Sequence, residues 1–174
     1  MMKKKLIVAM LGLALSVGTA QSAFAANEAG TSSVDSTKQA QKTEWKEATQ
    51  ALKIQLVVLR AEQQALTAQI KALRISNKVA HKALTQEQKA ALKETLSDLA
   101  GQIKSQHSSI NSIRAQKQAH WALVKVARKE GNTAAGVANL EQIISLKEQI
   151  IQAKEAILVL QQSLQAALSG SANT

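Results

Sequence analysis

The chain predicts an all-α fold, an elongated antiparallel three-helix bundle with coiled-coil-like packing. Three observations carry this. Proline is absent from all 174 residues, so nothing in the chain forces a helix to stop or kink. Ala, Leu, Gln, Lys and Glu, the residues that lose least on entering a helix, dominate the composition. Leu and Ile recur every seven residues in three separate stretches, each time with a second apolar residue three or four places on.

The first stretch covers residues 38–78. Trp45, Leu52, Leu59, Leu66 and Leu73 occupy heptad position d, and Leu56 and Ile70 occupy a. Thr49, Gln63 and Asn77 fill the remaining a positions. Polar residues there either fix register or face an open edge of the bundle, and the open edge is the expectation favoured here. Residues 74–84 form the expected connection, where Ser76 and Asn77 are only weak breakers. A new helix starts after Thr85. Thr85 and Gln88 form a T-x-x-Q capping box, in which the threonine hydroxyl takes the Gln88 amide and the glutamine side chain reaches back. Glu87 in the first turn suits the helix dipole.

The second stretch covers residues 86–129. Leu92, Leu99 and Ile113 fit d, while Leu96, Ile103, Ile110 and Val124 fit a; Gln106 and Lys117 interrupt the pattern. Gly131-Asn132 is a C-cap signal, with Arg128 and Lys129 in the last turn. The third stretch begins near Thr133 and ends near Leu168. Ile143, Ile150, Ile157 and Leu164 recur at seven, with Leu146, Ala153, Leu160 and Ala167 three after each. A second row, Val137, Ile144, Ile151 and Leu158, runs beside the first. So wide an apolar face suits a helix flanked by two partners. Any part of it left uncovered would make a homodimer possible. Glu141, Glu148 and Glu155 form an acidic row read as a solvated edge. If the first two helices fold back near residue 83, Trp45 and Trp121 lie at the same end of the bundle.

Outside these stretches, residues 1–25 resemble a Sec signal peptide: Lys3, Lys4 and Lys5, an apolar run over residues 6–17, and Ala23-Phe24-Ala25 as the cleavage site. Residues 26–37 read as a flexible leader and residues 169–174 as a frayed, disordered tail, leaving residues 38–168 as the bundle domain. The expected location is outside the cytoplasm, in the periplasm, the cell wall or the exterior. The h-region is shorter than the roughly 20 residues of a membrane span, and no transmembrane span is expected in the mature chain. No cysteine is present to form a disulfide or accept a lipid.

The net charge is +10, and +7 without Lys3, Lys4 and Lys5. It concentrates on the first two helices. The fold-back gathers Lys71, Arg74, Lys78, Lys82, Lys89 and Lys93 at the turn end, and Lys38, Lys42, Arg114, Lys117, Lys125, Arg128 and Lys129 at the other. Each group is either an anion- or partner-binding patch or a solvated helix end. In an exported protein the partners would be proteins or anionic envelope components, not nucleic acid.

Catalytic chemistry finds no footing. His81, His107 and His120 share no helical spacing that would converge on a metal, and no cysteine pair or H-E-x-x-H occurs. Ser108 and Ser109 adjoin His107 in sequence but not on one helix face. No nucleophile elbow, P-loop or dinucleotide fingerprint is present. No enzyme activity, metal or cofactor is expected. Trp121 either fills the end of the core or acts as a partner hot spot.

Leu84-Thr85-Gln86-Glu87-Gln88 resembles the LTxxQ signature of the Spy/CpxP family, over five residues that are also a capping box. The resemblance implies an ATP-independent envelope chaperone or stress regulator, curved, helical and usually dimeric, whose basic concave face holds unfolded clients. By the same resemblance Leu84, Thr85 and Gln88 shape a helix start and do not touch client. Three functions follow as expectations. The first is an exported, non-enzymatic interaction protein that binds an anionic or protein partner through basic helical faces. The others are a chaperone of this kind and a structural coiled-coil spacer.

Overall fold

The computed structural model describes residues 33–172, with side chains from 36 to 170. The signal-peptide features at residues 1–25 lie outside the described residues. Three helices follow one another: α1 (Ser33–Ala83), α2 (Gln86–Glu130) and α3 (Thr133–Ala172). At 1.5 Å per residue, their 51, 45 and 40 residues span about 75, 67 and 60 Å. The described residues contain no strand.

The two connections are short because local chemistry ends each helix abruptly. Ala83 and Gln86 are separated only by Leu84 and Thr85. The Gln88 amide donates to Thr85 Oγ1 at 3.2 Å and the Thr85 amide donates to Gln88 Oε1 at 3.0 Å. Leu84 tucks into the core beside this cap. At the other end Gly131 adopts φ 72°, a left-handed conformation that glycine enters without a Cβ clash. The Asn132 amide then closes onto the Ala127 carbonyl at 2.8 Å. Asn132 Oδ1 also accepts from the Ala135 amide at 3.0 Å, capping α3.

The expected connection over residues 74–84 is helix as far as Ala83. With neither glycine nor proline there, nothing competes with helix propagation until the Thr85 cap. α1 also begins at Ser33, ahead of the expected residue 38. α3 runs to Ala172, past the expected residue 168 and into the segment read as a tail.

α3 is the central helix. It packs along both α1 and α2, whereas α1 and α2 scarcely approach each other. Its wide apolar face supplies both contacts. Ile143, Ile150 and Ile157 are fully buried. One core joins Trp45, Leu56 and Leu59 of α1 to Val124 of α2 and to Leu140, Ile143, Ile144 and Ile151 of α3, with Trp121 packed against it. Both indoles therefore sit at one end of the bundle. A second core joins Ile110 and Ile113 to Leu146, Ile150, Ala153 and Ile157.

The polar a positions are a correction. Thr49 and Asn77 do not face an open edge, being 0% and 4% exposed, whereas Gln63 is half-buried and borders the gap between α1 and α2. Each is tolerated because its hydroxyl or amide nitrogen finds a partner, although Asn77 Oδ1 finds none. Thr49 Oγ1 donates to the Trp45 carbonyl at 2.7 Å. Asn77 Nδ2 donates to the Gln161 carbonyl at 2.8 Å and to Gln161 Oε1 at 2.9 Å. Gln63 Nε2 donates to the Lys147 carbonyl at 3.0 Å. The Gln63 and Asn77 bonds both link residues 84 apart, so α1 and α3 run parallel in one fixed register.

Candidate functional site

Because α1 and α2 do not close on each other, a groove runs between them with α3 as its floor. Four hollows mark it. One of 290 Å³ lies at the tryptophan end beside Lys42, Trp45, Lys46, Lys53 and Arg128. The next, of 370 Å³, is lined by Lys53, Leu56, Val57, Arg60, Gln63, Lys117, Trp121 and Lys147. The largest, 650 Å³, lies between Ile70, Lys71 and Arg74 of α1 and Ile103, Lys104 and His107 of α2, over Gln161 and Leu164. The last, 320 Å³, continues to Lys78, His81, Leu96 and Leu168 near the α1–α2 turn. Between the middle two stands Lys154, whose Nζ donates to the Gln63 carbonyl at 2.8 Å and to Thr67 Oγ1 at 2.6 Å.

The lining has one sign of charge. Each hollow is walled by lysine or arginine, and among the described lining residues none is acidic. Helical periodicity explains the sorting. Lys46, Lys53, Arg60 and Arg74 recur at multiples of seven along α1 and so share one side of it. The Glu141, Glu148 and Glu155 row is exposed, and none of the three lines the four hollows.

The charges crowd most closely at mid-groove, where all three helices contribute. Burial lowers the pKa of Lys147, and Lys117, Arg60 and Lys154 lower it further. Burial also leads for Lys117, followed by Arg114 and Arg60, and for Lys154, followed by Arg114 and Lys117. Every charge acting on these three ammonium groups is positive. Such a cluster holds electrostatic energy that an incoming anion would release.

The residues expected from sequence divide into two sets. Lys71, Arg74, Lys78 and Arg128 line the groove, as does Lys42. Arg114 and Lys117 belong to the mid-groove cluster. Lys38, Lys82, Lys93, Lys125 and Lys129 are exposed elsewhere, and Lys89 is half-buried. Trp121 is half-buried, packed against the core and lining the groove, so the core and partner readings describe two sides of one indole. Leu84, Thr85 and Gln88 build the turn and line none of the four hollows. Sequence reasoning missed Lys46, Lys53, Arg60, Lys104, Lys147 and Lys154. The available signal was Lys147 and Lys154, two lysines seven apart set between the apolar rows of α3.

Among the described residues, no three His, Cys, Asp or Glu side chains stand close enough to hold a metal ion. His120 Nδ1 lies 2.9 Å from Asn139 Oδ1. No described helix is long and apolar enough to cross a membrane. The chain matches no protein-family model, no curated protein and no solved structure.

Proposed function

We propose that this protein is an exported, non-enzymatic binding protein of the bacterial cell envelope, and that the α1–α2 groove receives an acidic amphipathic protein segment. One observation carries the reading: a groove along the bundle whose lining is part apolar and whose charged residues are all cationic. The apolar lining decides between anionic partners. Ile70 and Ile103 on the walls and Leu164 on the floor gain nothing from a charged glycopolymer, but they do gain from the apolar face of a peptide. From Lys42 to His81 the α1 wall extends about 58 Å, a span suited to an extended or helical segment.

A second reading, the Spy/CpxP-like chaperone, is favoured by apolar side chains left exposed on α1 and α2. Val57, Leu123 and Val126 are among them. The spacer reading is weaker, because a spacer has no use for a single-signed groove.

Fluorescence anisotropy of a labelled acidic amphipathic peptide tests the proposal. Binding should occur at low salt, weaken as salt rises, and fall at least tenfold in an Arg60→Gln/Lys117→Gln/Lys147→Gln variant, a loss of about 1.4 kcal/mol. Absence of binding at low salt, or equal binding by the variant, would sink it. Stoichiometric, salt-sensitive suppression of the aggregation of an unfolding protein would favour the chaperone reading over a dedicated partner.

A further inference from the structure

We infer that the protein forms an antiparallel homodimer through the outer face of α1, the side turned away from α3. α1 carries a second apolar seam that its own chain does not use. From Ile54 to Val79, apolar residues recur with alternating spacings of four and three, which brings them to one face over nearly four heptads. A repeat of that length is what a coiled coil requires. Every member is exposed: Ile54 is 61% and Val79 64% exposed, and the alanines between them are exposed too.

The seam is its own mirror. About the midpoint between Leu66 and Thr67, Ile54 is matched by Val79, Val58 by Ile75, Ala61 by Ala72 and Ala65 by Ala68. A two-fold axis at that midpoint, perpendicular to α1, lays each residue against its match in a second copy. An isologous interface demands this self-complementarity. The small central alanines let two helices approach at the short end of the usual 8–10 Å separation, and the β-branched residues close both ends.

Charge selects the antiparallel arrangement. A parallel pair would set two turn-end clusters, each with Lys71, Arg74, Lys78 and Lys82, side by side. The antiparallel pair separates them and also opposes the helix dipoles. In antiparallel coiled-coil geometry its flanks bring Glu62 near Gln69 and Lys71 near Gln64, with no like-charged pair. Arg60 and Arg74 lie on the groove side of α1 and Lys71 at the border between groove and seam, so the partner copy flanks the groove without filling it. The wide α3 face, where sequence alone would place any dimer contact, is occupied by α1, α2 and the groove.

Sedimentation equilibrium of the purified protein should give twice the chain mass, and the dimer should persist or tighten at high salt, opposite to groove binding. Ala65→Glu alters an exposed site, so helicity should hold while the mass halves. Ala65→Glu/Ala68→Lys should restore the dimer, because each new carboxylate meets the partner's new ammonium. The chain has no cysteine, so Val58→Cys and Ile75→Cys proteins can be mixed and oxidised. The mixture should form a disulfide-linked dimer. Val58→Cys alone should not, because its two copies would lie about 25 Å apart, far beyond disulfide reach. A monomer at all concentrations, a dimer untouched by Ala65→Glu, or cross-linking of Val58→Cys by itself would overturn the inference.

Discussion

Replacing Lys147 with methionine should stabilise the fold and weaken the binding site at the same time. Lys147 is 7% exposed, its stem lies on the buried face of α3, and Lys117, Arg60 and Lys154 all act against its charge. Burial and repulsion hold its pKa below the ordinary lysine value of 10.5. Between that lowered value and 10.5 the unfolded chain binds more protons than the folded one, so stability rises with pH across the window. Below the window the charged lysine carries its full penalty. Methionine keeps the length and apolar contacts without the charge. Exchanging a buried ion for an apolar residue of similar size ranges from neutral to a gain of about 4 kcal/mol. The groove is open and water screens part of the repulsion, so about 1 kcal/mol is expected at neutral pH. For a chain of this size that raises Tm by about 2–4 °C. Thermal melts at pH 7 and pH 10 measure both effects: Lys147→Met should melt higher at pH 7 and gain less than the wild type on moving to pH 10. A variant that melts lower than the wild type, with an unchanged pH dependence, would refute the reasoning.

Three further outcomes follow from the packing. Asn77→Ala removes two hydrogen bonds to Gln161 and should cost about 1–3 kcal/mol by urea denaturation, even though Asn77 Oδ1 is itself a buried atom without a partner. Gly136→Ala improves helix propensity by about 1 kcal/mol, yet its new Cβ would overlap the Trp45 ring. The net effect should be destabilising by about 1–3 kcal/mol, with a changed near-ultraviolet circular dichroism signal from the displaced indole. Ile150→Ala, in the second core at 2% exposure, should cost about 2–5 kcal/mol, whereas Ile54→Ala should scarcely alter the stability of the separated protomer.

Much of the fold was legible because one-dimensional periodicity maps directly onto helix faces. The three seven-residue repeats marked three helices, Thr85 with Gln88 and Gly131 with Asn132 marked the turns, and the double row on α3 marked the helix with two neighbours. The errors have a common cause. Asn77 looked like an edge residue because only tertiary packing reveals that Gln161, 84 positions away, accepts twice from its amide nitrogen. The turn-end and tryptophan-end cations were placed by fold-back alone. The mid-groove cluster needed the parallel α1–α3 register, which no local pattern encodes. Arg60 and Lys147 come together only once Gln63 has found the Lys147 carbonyl. The unused seam on α1 was readable in the spacing of its alanines and valines. It stood out only when the other face of the same helix proved sufficient to pack against α3.

The groove between α1 and α2 is where the proposed partner sits. An environment-sensitive fluorophore attached through Lys104→Cys, on the groove wall, or Ser145→Cys, on the outer face of α3, tests this directly in a chain with no other thiol. Titration with the acidic amphipathic peptide should shift emission to the blue at the Lys104 position, saturably and less at high salt, and leave the Ser145 position unchanged. A shift at Ser145 with none at Lys104, or none at either, would contradict the account.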